Sequence, residues 1–208
     1  MTTYFFISVI LSYFLLITSF IYGSGSNQIR NNKLSKWYVI YLGFILGIEI
    51  ITLFSIYILD SETSQYLYPF YVTGEFFILI SLFLNELRTS KKADIIKWLM
   101  TSYIFIETTI LWFFNDDAST GYAKIISHLT IICLLAILLI KNLKDLEKNN
   151  PLSIIYTTLF LYYGVSLFLF LLLNQLTEMN ISIWIINNIL SSILYGSSIY
   201  TFYRLKKW

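Results

Sequence analysis

The chain has 208 residues, of which 57% are hydrophobic, 19% aromatic and only 12% charged, with a mean hydropathy of +0.71. A soluble domain of this length carries about 25% charged residues, so the composition excludes an ordinary water-soluble globule. The net charge of +2 carries no nucleic-acid signal, because the basic residues are partitioned by loop rather than gathered in one patch.

The first apolar segment, residues 4–22, lies within MTTYFFISVILSYFLLITSFIYGSG. It lacks the basic n-region of a cleaved signal peptide and reads as a retained first helix. The second, 37–59, carries Glu49 and the pair Gly43…Gly47, a small-xxx-small spacing that permits close helix contact. The third, 67–86, opens at Pro69, a residue tolerated at helix starts, and holds 71-YVTGEFFILI-80 with Glu75 near its middle. Gly74 beside it would let another helix approach closely. The fourth, 96–114, contains Glu107, and the fifth, 121–140, contains His128, the only histidine. Cys133, the only cysteine, lies in the fifth segment and is expected to be a small buried hydrophobe. One cysteine supplies neither a disulfide framework nor a thiolate metal cluster. The sixth segment, 152–173, follows Pro151 and carries Tyr156, Tyr162 and Tyr163; the seventh, 182–203, carries Asn187 and Asn188.

Each segment is near 20 residues, the length that spans a bilayer as a helix. Backbone hydrogen bonding in lipid demands helices or a closed barrel, and these runs are continuous rather than alternating. The expected fold is therefore all-α: a single polytopic bundle over residues 1–208 with seven transmembrane helices and no soluble domain. Segment 23–36 and segment 87–95 read as short basic loops.

Basic residues set the orientation. Arg30, Lys33 and Lys36 lie in the first loop, Arg88, Lys91, Lys92 and Lys97 around the third, Lys141, Lys144 and Lys148 in the fifth, and Arg204, Lys206 and Lys207 at the end. That places 13 of the 14 basic residues on one side, leaving Lys124 on the other, where Asp60, Glu62, Asp116, Asp117 and Glu178 lie. By the positive-inside rule the N-terminus faces outside and the C-terminus the cytoplasm, in a plasma (inner) membrane. Trp37, Tyr68, Trp98, Trp112, Tyr122, Trp184 and Trp208 fit interfacial belts at the segment ends.

Ionisable groups inside a span are costly, which makes them functional candidates. Counting the 1.5 Å rise per residue puts Glu49, Glu75, Glu107, His128 and the Asn187–Asn188 pair outward of their span centres by roughly 1 to 7 Å. A shared level suggests one outward-facing cavity lined by the second, third, fourth, fifth and seventh segments, with tyrosine hydroxyls from Tyr156, Tyr162 and Tyr163. The plainer reading is that each carboxylate is protonated and bonded to a neighbouring hydroxyl as packing glue. Adjacent helical positions point about 100° apart, so only one of Asn187 and Asn188 is expected to face inward.

The residue types exclude several chemistries. A zinc hydrolase would need more than one histidine, and nothing like Glu-x-x-His occurs within a segment, so no metal site is assigned. Neither 196-GSS-198 nor 23-GSGS-26 makes a convincing nucleophile with His128, and no catalytic residue or cofactor is assigned. Retinal binding needs a mid-span lysine in the last segment, which has none.

Three stretches carry a resemblance: 68-YPFYVTGEFFIL-79, 151-PLSIIYTTLFLYYGVSLFLF-170 and 183-IWIINNILSSILYGSSI-199. They resemble an uncharacterised group of small seven-helix membrane proteins of Bacteroidota, in which similar segments look like sensor modules that accompany histidine kinases. Glu75 and Asn187 match the patterned positions, Glu49 matches more loosely, and His128 falls outside. Because no kinase or output domain follows Trp208, the resemblance implies a separate signalling partner, in the cytoplasm or the membrane. The expectation is a non-enzymatic receptor-like or signalling module with an outward pocket for a small ligand or protons. Its partners would be the lipid bilayer, a signalling protein and, in a homo-oligomer, its own copies. A small proton-coupled transporter or channel using the same carboxylates is the second reading, and an intramembrane lipid-modifying enzyme the third.

Overall fold

The computed structural model describes residues 2–60, 64–115, 121–144, 152–173 and 181–207. Among them run eight α-helices: α1 (Thr2–Gly25), α2 (Asn27–Asn31), α3 (Lys33–Tyr57), α4 (Tyr68–Leu87), α5 (Lys91–Asn115), α6 (Ala123–Lys144), α7 (Ser153–Leu173) and α8 (Ile181–Lys207). Each of the seven apolar segments lies on one of the long helices. The exception to the sequence reading is α2, a five-residue helix inside what reads as a basic loop, pinned by Ile29 at 1% exposure. Glu62, Asp116, Asp117, Lys148, Pro151, Glu178 and Trp208 lie outside the described residues.

Local sequence explains the helix ends. Asn32 caps α3, its side-chain oxygen accepting from the backbone N–H groups of Leu34 at 3.0 Å and Ser35 at 3.4 Å. Pro69 sits in the first turn of α4, where its missing N–H costs nothing. Arg88 ends α4 in the left-handed region at φ 52°, which lets Arg88 and Thr89 donate back to the carbonyls of Asn85 and Leu84.

Five of these helices are long and apolar enough to cross a membrane: α1, α3, α4 with the turn before it, α6 and α7. The protein is thus a membrane protein. Two further helices, α5 and α8, have 25 and 27 residues but are less apolar, carrying Lys97 and Glu107 on α5 and Asn187 and Asn188 on α8.

The packing is polar inward and apolar outward. On α1, Phe6, Ile7, Ile10, Phe14, Ile17 and Ile21 are exposed, while Ser8, Ser12 and Ser19 are buried. Each such aliphatic or aromatic side chain would forfeit roughly 1.5–3 kcal/mol facing water, a loss that hydrocarbon removes. The serines satisfy themselves locally, Ser8 Oγ donating to the Phe5 carbonyl at 2.7 Å and Ser19 Oγ to that of Leu16 at 2.9 Å. Their small size lets α1 run parallel to α8, with Asn188 donating to Ser8 Oγ at 3.2 Å at one end. At the other end a Cβ on Gly23 would lie 2.8 Å from the Phe202 ring. Gly43 is likewise closed over by Phe20 of α1, whereas Gly47 faces open space, so only the first half of the small-xxx-small pair is used.

Most enclosed is α4, with 56% of its apolar stretch buried against 22% for α1 and for α3. It packs on α3, α5 and α6. Toward its C-terminal end the interior is a tight apolar plug of Tyr38, Leu79, Phe83, Tyr156 and Phe202, each at 0–1% exposure. Tyr38 and Ser198 share a hydrogen bond there at 2.6 Å.

Candidate functional site

Glu75 sits on the most enclosed helix and is itself 1% exposed. Tyr163 of α7 donates to its Oε1 at 2.6 Å and Tyr41 of α3 at 3.4 Å, the two hydroxyls also lying 3.4 Å apart. Immediately before it, Gly74 lies beneath the Phe44 ring of α3, in contact too close to admit a Cβ. The close helix approach anticipated at Gly74 is thus made by an aromatic ring, which presses α3 against the carboxylate's own helix.

Glu75 opens onto a polar cavity of about 110 Å³ enclosed by α1, α3, α4, α7 and α8. Glu49 enters it from α3, held by a 2.8 Å hydrogen bond from Tyr13 Oη of α1. Tyr162 enters it from α7, and Asn187 and Asn188 from α8. Both asparagines line the space, against the expectation that only one would. The reason is that the cavity wraps round α8 from its α1 side to its α7 side, an arc wide enough for two positions 100° apart. Asn188 is tied to Ser8, whereas the Asn187 amide makes no hydrogen bond among the described residues.

A second cavity of about 80 Å³ adjoins the first, sharing Tyr71, Tyr162 and Asn187 as its partition. His128 and Lys124 line it one turn apart on α6, where an i, i+4 pair shares a face. His128 is 3% exposed and stands edge-on to Tyr163, ring centroids 5.0 Å apart, behind the hydroxyl that holds Glu75. Lys124 places its ammonium 4.6 Å from the Phe170 ring centroid. The histidine therefore supports the site from behind rather than lining the acidic chamber.

Glu107 stands apart. Its Oε1 accepts the Tyr122 backbone N–H at 2.8 Å, placing the carboxylate at the N-terminal end of α6. There it balances an unpaired donor and the positive end of the helix dipole. Gly121 packs beside it, where a Cβ would lie 2.9 Å from the same oxygen and press on the Leu111 side chain. The fourth segment consequently contributes nothing to the cavity, and α1, not expected to, forms a wall. Tyr156 is also elsewhere, edge-on to Phe83 in the apolar plug with centroids 6.3 Å apart. Cys133 is exposed rather than buried, lining an apolar groove between α4, α5 and α6. No group of three or more His, Cys, Asp or Glu side chains converges as a metal site would require among the described residues.

Sequence reasoning missed Tyr13, Tyr41, Tyr71, Ser191 and Tyr195, all of which line the acidic cavity. A signal was present: polar residues recur four or eight apart on one helical face, as Tyr41 with Glu49, Tyr71 with Glu75, and Asn187 with Ser191 and Tyr195.

No protein family matches the chain, nor does any curated protein or solved structure.

Proposed function

We propose that this chain is a seven-span receptor-like or signalling module of the plasma membrane, with the N-terminus outside. It takes a small ligand or protons from the outer face into the chamber around Glu75. In this reading α5 and α8 complete the bundle as the fourth and seventh spans. The observation that carries it is a carboxylate at 1% exposure, restrained by two tyrosine hydroxyls, yet bordering an open polar chamber with a second glutamate. Packing glue alone would leave no space beside the group it neutralises.

Glu49, Tyr71, Glu75, Asn187 and Asn188 lie in the helix halves opposite Lys33, Lys36, Arg88 and Arg204, with Tyr41, Tyr162 and Tyr195 closing the chamber near or below mid-helix. Under the positive-inside rule this supports a chamber that opens outward. Transport by the same carboxylates would need a path through the Tyr38–Phe83–Phe202 plug, whose side chains are fully buried, which favours sensing over permeation. Within the sensor reading, occupancy shifts α3, α4 and α8 relative to one another, and a separate signalling partner reads the change at their cytoplasmic ends.

Cysteine accessibility tests the site directly. In a Cys133→Ser background, Asn188→Cys is expected to react with a membrane-impermeant thiosulfonate applied from outside, and Glu75→Gln to alter the labelling rate. Labelling from the cytoplasmic side alone would overturn the outward chamber. Proton or solute uptake into proteoliposomes that Glu75→Gln abolishes would replace the receptor reading with transport.

A further inference from the structure

We propose that the chamber binds a small organic ammonium ion, seated between the carboxylates of Glu49 and Glu75 and against tyrosine rings. The inference rests on the reading of the chamber as a ligand site and names the chemical class of the ligand. The first argument is charge. Two carboxylates border one chamber, and the sole ion pair among the described residues is Lys97 with Asp94 on α5, elsewhere in the bundle. Lys124, the nearest base, lines the neighbouring cavity and points its ammonium at Phe170. Lys124 acts on Glu75 across the partition, one cation for two carboxylates, so a bound cation would supply the remaining counter-charge, and anions would meet two carboxylates and no basic lining residue.

The second argument is an unused donor. Tyr195 is 6% exposed and lines the chamber, yet its hydroxyl makes no hydrogen bond among the described residues. Buried hydroxyls are ordinarily paired, so an orphan bordering a cavity marks a place for a ligand group. The Asn187 amide, also without a partner, stands beside it one turn earlier on α8.

The third argument is the wall chemistry. Tyr41, Tyr71, Tyr162 and Tyr195 surround the acidic groups, and aromatic faces attract alkylated ammonium groups while carboxylates accept N–H bonds. A hard metal ion needs several oxygens converging at roughly 2.0–2.6 Å. No cluster of three acidic or imidazole ligands exists among the described residues to supply it. At about 110 Å³ the chamber has room for three or four water-sized groups. That is the size of ethanolamine or trimethylammonium.

The test is thermal unfolding of the full chain in lipid nanodiscs at constant ionic strength. Ethanolamine, trimethylammonium, sodium, acetate and ethylene glycol are titrated separately. Ethanolamine or trimethylammonium is expected to raise the midpoint saturably and to slow outside labelling of Asn188→Cys. Glu75→Gln and Glu49→Gln should each weaken the apparent Kd by roughly tenfold or more, the value of a charge-assisted hydrogen bond. Glu107→Gln, outside the chamber, should leave it unchanged. Should Glu75→Gln unfold, Glu49→Gln with its single tyrosine contact still decides the matter. Equal stabilisation by sodium, or no response to either ammonium compound, overturns the proposal. A Glu75-dependent response to acetate or ethylene glycol overturns the ammonium class while leaving the chamber as a ligand site. Failure of Asn188→Cys to label from outside removes the outward chamber itself.

Discussion

Glu75 and Glu107 are carboxylates on neighbouring helices, and each has a glycine pressed against its surroundings. Their environments differ in what lies around the helix axis. Glu75 is on α4, which neighbours enclose, and its oxygen is held by side chains of two other helices. Glu107 is on the rim, where its oxygen holds a backbone N–H beside Tyr122, a residue 71% exposed. The first arrangement joins α3, α4 and α7 around a chamber; the second fastens one connection to the helix it precedes. Depth along a helix does not decide which role a buried carboxylate plays; azimuth does.

The largest expected contrast is in stability. Glu75→Leu takes the acceptor from the buried Tyr163 hydroxyl and one of two hydrogen-bond partners from Tyr41, and sets an isobutyl group at the edge of the polar chamber, at a cost of about 2 kcal/mol. Glu107→Leu frees an N–H at an exposed turn that solvent or headgroups can satisfy, so its cost should stay below about 1 kcal/mol. Reversible unfolding of both variants in the same lipid system measures the gap. Equal destabilisation would mean that Glu75 is no more deeply integrated than a loop clasp.

Sequence alone located the seven long helices because each contains a run of about 20 largely apolar residues, the length of a helical span. It did not show α2, which is too short for a periodic signal and is fixed by the burial of Ile29. Of the candidate site, the sequence supplied a count of depths along each helix but no facing. Rise per residue places Glu49, Glu75 and Glu107 alike, and only the packing of α5 against α4 and α6 shows Glu107 looking away from the chamber. Tyr41 and Tyr71 were masked for a different reason. In a chain with 17 tyrosines, a tyrosine is not conspicuous until its i+4 or i+8 relation to a glutamate is counted. Cys133 misled because an apolar position in a lipid-facing helix need not be buried in protein.

The two glycines offer a smaller contrast of the same kind. Gly74→Ala drives a methyl group into the Phe44 ring between α3 and α4, where neighbours on both sides limit movement, and should cost about 1–2 kcal/mol. Gly121→Ala meets Leu111 and Glu107, whose outer atoms are freer to swing, and should cost less. The Gly74→Ala/Phe44→Leu double variant is the sharper measurement. Recovery of most of the lost stability would locate the strain at this ring, whereas additive losses would place it elsewhere on α4.

Glu49 lies between the two extremes, in the chamber but only partly enclosed, with Tyr13 as its one side-chain donor among the described residues. Tyr13→Phe removes that donor without removing the ring, so packing between α1 and α3 is kept. Hydrogen bonds between membrane helices average about 0.6 kcal/mol, and the partly open position of Glu49 allows water to replace the lost hydroxyl. The expected stability change is therefore about 0.5 kcal/mol, the smallest of the series. Labelling of Asn188→Cys should nonetheless quicken, because Tyr13 is what ties the chamber wall of α1 to α3. A loss as large as that of Glu75→Leu would make Glu49 a second structural anchor, and the chamber would then have only one carboxylate free to meet a ligand.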